Sequence, residues 1–130
     1  MKVVCAIDNI LKINDSSSIE RINKYLILSD GQLNLEIGKE YCVYGVAFRD
    51  NSPWYYLCLD EDDESPTAYP AELFNIKKSN LSSCWILSLE SSSILFEEWA
   101  NDSFFYERLV EGDPEALGIF KSYKIIMDNE

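Results

Sequence analysis

An acid excess as large as this one is compatible with folding only if the carboxylates stay at the surface of an otherwise apolar body. Asp and Glu number 23 against 11 Lys and Arg, a formal net charge of −12, and there is no histidine. Disordered acidic tails are poor in aromatic and β-branched residues. Here 47% of the residues are apolar, and Trp54, Trp85 and Trp99 are joined by eight tyrosines and six phenylalanines. The chain is therefore expected to fold, with its negative charge outside, where it repels nucleic acid and anionic membranes and attracts a basic protein surface.

The 130 residues suit a single domain that can bury a core without staples. Asp8, Lys12 and Asp15 interrupt the apolar residues of the first segment, so neither a leader nor a bilayer span is expected, and the cytoplasm is the default location. Cys5, Cys42, Cys58 and Cys84 are widely spaced in apolar stretches. That pattern reads as small buried hydrophobes in a reducing compartment rather than as a zinc site, which needs closely paired thiols or histidines.

The first two thirds read as strands. Val3, Val4, Ala6 and Ile7 open with a short one; the span 18–28 fits either helix or strand; Asp30-Gly31 marks a turn. Lys39–Phe48 and Trp54–Leu59 predict a hairpin around the loop Arg49–Pro53, apolar on both faces and hence covered on both sides or bearing a contact surface. Asp60–Pro70 is a loop that starts with five consecutive acids. Ala71–Ile76 is a short strand or helical turn, and Cys84–Leu89 and Ile94–Phe96 are further strands. From Trp99 the period becomes helical. Asp102 or Ser103 caps a helix that stops at Gly112, and Asp113-Pro114-Glu115 starts a second, whose apolar face carries Leu117, Phe120, Tyr123 and Met127, widened by Ile119, Ile125 and Ile126. A strand-rich part, 1–98, followed by a helical extension, 99–130, is α+β.

No catalytic signature stands out. Without histidine the commonest general base and metal ligand are missing, and the adjacent Glu97 and Glu98 diverge on any regular element. The chain is expected not to be an enzyme and to need no cofactor or metal; Asp60–Glu64 lacks the ligand spacing of a calcium loop. What remains is a binding surface. Carboxylates steer a basic partner and rings bury area at low entropic cost. The candidate partner-binding residues are Trp54, Tyr55, Asp60, Glu61, Asp62, Asp63, Glu64 and Tyr69, together with Glu97, Glu98 and Asp102. Asp113 and Glu115 are ordinary helix-start acids.

The segments Ile37–Val46, Pro53–Asp60, Tyr69–Phe74 and Cys84-Trp85 resemble the strand layout of a small SH3-like barrel, which implies an antiparallel barrel or curled sheet with two C-terminal helices packed on it. In size and character the chain is similar to the small acidic immunity proteins of bacterial toxin systems, such as those paired with contact-dependent growth inhibition toxins. That resemblance implies a cytoplasmic protein that neutralises a cognate basic toxin domain, often a nuclease, while the net charge, which opposes self-association, leads to the expectation of a monomer when alone with no nucleic-acid or membrane partner. Two rival expectations are an SH3-like adaptor or regulatory subunit that holds an extended peptide in a groove lined by Tyr41, Tyr44 and Trp54, and a DNA mimic whose acids stand in for phosphates.

Overall fold

The computed structural model describes residues 1–130 and is α+β, with two antiparallel sheets and four α-helices. Strand β1 (Lys2–Cys5) is central in a three-stranded sheet, between β2 (Glu40–Cys42) and β6 (Phe74–Lys78). The larger sheet has the order β5-β4-β3-β8-β7, with β3 Gly45–Arg49, β4 Ser52–Leu57, β5 Thr67–Pro70, β7 Trp85–Ser88 and β8 Ser93–Phe96. Neither sheet closes on itself, and the expected SH3-like barrel is not confirmed. The single strand expected over Lys39–Phe48 is in fact divided: the chain leaves the small sheet after Cys42 and enters the large one at Gly45.

The central hairpin is tighter than its sequence suggests. Arg49 pairs with Ser52, so only Asp50 and Asn51 form the turn, both with positive φ (52° and 63°). Two such residues match the twist of the flanking strands. Pro53, which by composition belongs to a loop, is accommodated because Trp54–Pro70 is the last β4–β5 pair. In a two-residue hairpin the pair next to the closing one is not hydrogen-bonded, so the side of Pro53 that lacks an N–H faces away from β3, where no strand needs it.

Helix α1 (Ser16–Asn23) settles the ambiguous span as helix in its first half; Asp15 caps it, accepting from the Ser17 N–H at 3.1 Å. After β8 come three helices rather than the expected two: α2 (Glu97–Asn101), α3 (Phe105–Val110) and α4 (Pro114–Asp128). Asp113 caps α4 through the Ala116 N–H at 3.1 Å, with proline at the first helical position. Short α2 eludes periodicity because five residues hold too little of a 3.6-residue pattern.

Two apolar clusters hold the fold. One joins the small sheet, Ile10, Ile22 and Leu33 to Val46, Trp54, Tyr55, Leu57 and Tyr69; the other places Tyr44, Leu95, Phe96 and Trp99 beneath Phe105, Leu109, Phe120 and Met127. Trp85 packs against both. Phe96 stacks on Tyr123 of α4 at 4.2 Å between ring centroids, and Trp99 stacks on Tyr106 of α3 at 5.6 Å. Gly45 lets Trp99 and Leu95 press onto β3: a Cβ there would lie 2.6 Å from Leu95 Cδ2. No helix is long and apolar enough to cross a membrane.

Candidate functional site

Trp54, Tyr55 and Tyr69 are core residues, exposed by only 1%, 6% and 8%, which corrects the expectation that they face a partner. Trp54 is closed over by the Tyr25 ring, edge-on at 5.6 Å, and by the Arg49 guanidinium at 4.7 Å. The hairpin is apolar on both faces because it is covered on both. For the same reason the proposed peptide groove does not exist, since Tyr41, Tyr44 and Trp54 are all buried.

The acids divide into those that hold the fold and those left free. Asp63 closes its own loop by accepting the N–H groups of Leu59 (2.9 Å) and Asp60 (3.1 Å). Asp102 accepts the Phe104 N–H at 2.9 Å and pairs with Arg108 at 2.8 Å, and Asp113 takes the same guanidinium at 3.3 Å. Its bond from the Phe104 N–H, with Arg108 beside it, holds the Asp102 carboxyl below the usual range. Asp63 and Asp102 are therefore structural. Asp60, Glu61, Asp62, Glu64, Glu97 and Glu98 are exposed and make no ion pair.

Helix α4 lies between four of these carboxylates, with Glu61, Asp62 and Glu64 along one flank and Glu98 along the other. Ala116, Phe120 and Met127 face the core. Along one flank, Leu117, Lys121, Lys124 and Asp128 border a groove of about 410 Å³ whose far wall is Glu61–Glu64. Along the other, Ile119, Tyr123 and Ile126 border a second groove with Glu98 of α2. The outward ridge between the two carries Gly118, Ser122 and Ile125, with Ile125 59% and Ile126 48% exposed. Lys124 is taken up internally: its Nζ donates to Asp128 Oδ2 at 2.9 Å, while the Tyr44 hydroxyl donates to Asp128 Oδ1 at 2.6 Å. Lys121 makes no ion pair and is the one cation left to the acidic flank.

Gly118 stands in the middle of this ridge. A Cβ there would meet nothing within 4 Å, so packing does not require glycine, although glycine in a helix interior costs about 0.5–1 kcal/mol relative to alanine. A flat spot of bare backbone beside two exposed isoleucines is a place where another chain can approach closely. Of the three isoleucines expected to widen the apolar face, Ile119 packs against the core, whereas Ile125 and Ile126 are exposed. The available signal was the width of that face: apolar residues at 116, 117, 119, 120, 123, 125, 126 and 127 cover more of the helix than one stripe can bury.

Burial holds the phenols beneath this surface in their neutral form. Tyr44, Tyr56 and Tyr69 are all raised, and burial pushes Tyr106, whose hydroxyl donates to the Pro66 carbonyl at 2.6 Å, up to about 12. A group whose value is raised on folding contributes stability that is complete below its unfolded value and is lost as pH rises through the folded one. The tyrosinate absorbance is thus expected to lag during an alkaline titration and to emerge together with loss of near-ultraviolet circular dichroism, between pH 10 and about 12 for Tyr106. All eight tyrosines ionising at their ordinary value with the fold intact would contradict this burial.

No family model, no curated protein and no solved structure matches the chain.

Proposed function

We propose that the protein is an immunity protein that binds and neutralises a cognate basic toxin domain in the bacterial cytoplasm, with the outward face of α4 as its contact surface. The observation that carries this reading is the exposed ridge of Gly118, Ser122 and Ile125, with Ile126 exposed beside it, flanked on one side by Glu61, Asp62 and Glu64 and on the other by Glu98. Apolar side chains surrounded by acids suit a protein interface, in which the centre excludes water and the charged rim accelerates encounter. A DNA mimic would present carboxylates in phosphate-like rows, with no isoleucine pair between them. A nuclease is the toxin chemistry that fits best, because a nuclease presents a basic surface to its own substrate and an acidic inhibitor can occupy it.

The test takes as candidate toxin the variable C-terminal domain of a large secreted protein whose gene adjoins the gene for this one. Co-expression is expected to restore growth to cells making the toxin. The triple variant E61Q/D62N/E64Q, which leaves Asp63 to hold the loop, is expected to slow association about tenfold at low ionic strength and to flatten its salt dependence. Unchanged association kinetics in a correctly folded variant would remove the acidic flank from the site. Failure to protect cells would overturn the assignment of function.

A further inference from the structure

The two open sheets have four edge strands, and three of them carry the usual protection against pairing with another chain. Glu40 lies on β2, Lys77 and Lys78 on β6, and Pro70 ends β5. Strand β7 has none. Its sequence is Trp-Ile-Leu-Ser, it pairs only with β8, and its register runs without a bulge. Leu87 is 63% exposed, Leu89 just beyond it 83%, and Ile86 is exposed as well. An apolar edge strand whose backbone groups beyond the Trp85 N–H have no second strand to pair with is a template for strand addition.

Local charge selects the occupant. From Ser79 to Glu107 there is no lysine or arginine; Asp102 is taken by Arg108, but Glu90, Glu97 and Glu98 make no ion pair. Glu90 lies in the β7–β8 turn, whereas Glu97 and Glu98 follow Phe96, which pairs with Trp85 at the opposite end of β7. A second copy added antiparallel about a twofold axis would bring Glu90 of each chain toward Glu97 and Glu98 of the other, an unfavourable meeting of like charges. An extended basic segment satisfies both the unpaired backbone groups and the acids.

We propose that β7 accepts, as a sixth strand of the large sheet, an extended segment of a basic partner in which apolar residues alternate with Lys or Arg. The proposal rests on the partner assigned above and extends its contact beyond α4. The two surfaces are joined: Ser82 Oγ and the Ser83 N–H, just before β7, donate to the Glu130 carboxylate beyond α4 at 2.5 and 2.9 Å.

The experiment needs no toxin. A short capped peptide of alternating Lys and Val is titrated into the protein and amide hydrogen exchange is followed. Exchange at Ile86–Leu89 is expected to slow, and binding to weaken about tenfold either when alternate peptide amides are N-methylated or when the protein carries Leu87→Lys. Equal binding of both peptides with no change at β7 would reduce the contact to charge alone and overturn strand addition. A protein that sediments as a dimer, and as a monomer once Leu87→Lys is introduced, would overturn it too by making a second copy the occupant. Either failure would leave the α4 surface and the toxin assignment standing; peptide binding without protection of cells would strike only the identity of the partner.

Discussion

Trp54→Ala is expected to cost about 3–5 kcal/mol of stability, the range for removing a large aromatic ring from a packed core. Domains of this size are stable by only about 5–15 kcal/mol, so much of the variant should be unfolded at modest urea concentrations. The size of the effect follows from the surroundings: the ring is 1% exposed and sits between Tyr25 and Arg49 in the cluster that joins the two sheets. Trp54→Phe is the informative companion. The indole Nε1 is buried with no hydrogen-bond partner, so phenylalanine gives up ring volume but relieves an unsatisfied donor, and its cost is expected to stay below about 2 kcal/mol. Urea denaturation of the three proteins checks the pattern. A Trp54→Ala protein as stable as wild type but defective in binding would return this ring to the contact surface.

The second large effect concerns association. Ile125→Asp with Ile126→Asp is expected to weaken binding of the proposed toxin partner by a factor of about 100 or more, because it places charge at the centre of the proposed interface, where truncation of an anchoring side chain alone commonly costs about 2 kcal/mol. The fold should tolerate the change, since both side chains are exposed and the core-facing residues of α4 remain Ala116, Phe120 and Met127. The dissociation rate should carry most of the loss, whereas the acid-to-amide variants act mainly on association. Titration calorimetry and thermal melts of the double variant separate the two contributions.

The fold class and most elements were legible in the chain, for reasons particular residues make plain. Asp113-Pro114-Glu115 announces α4 because a cap, a preset φ and a favourable dipole coincide there. The tyrosine- and valine-rich segments around Arg49–Pro53 announce a hairpin. What stayed hidden depends on contacts between distant residues. The transfer of the chain between sheets at Val43-Tyr44 leaves no local mark, since Tyr41 to Phe48 reads as one uncharged run and Gly45 as an ordinary strand glycine until Trp99 is seen above it. The site was legible in part. Of the acids expected to contact a partner, Glu61, Asp62, Glu64 and Glu98 are exposed and line the two grooves beside α4. The rings near them in sequence, Trp54, Tyr55 and Tyr69, were misassigned because proximity along the chain does not say which face of a doubly covered sheet is wet. Asp63, Asp102 and Asp113 look like their neighbours in sequence but are occupied by backbone N–H groups or Arg108.

The most direct test of the central claim is a hydrogen-exchange footprint of the protein alone and bound to a toxin domain against which it protects cells. Slowed exchange at Asp60–Glu64, Glu97-Glu98 and the residues of α4 is the expected result. A footprint confined to the small sheet of β1, β2 and β6, with α4 unchanged, would contradict it.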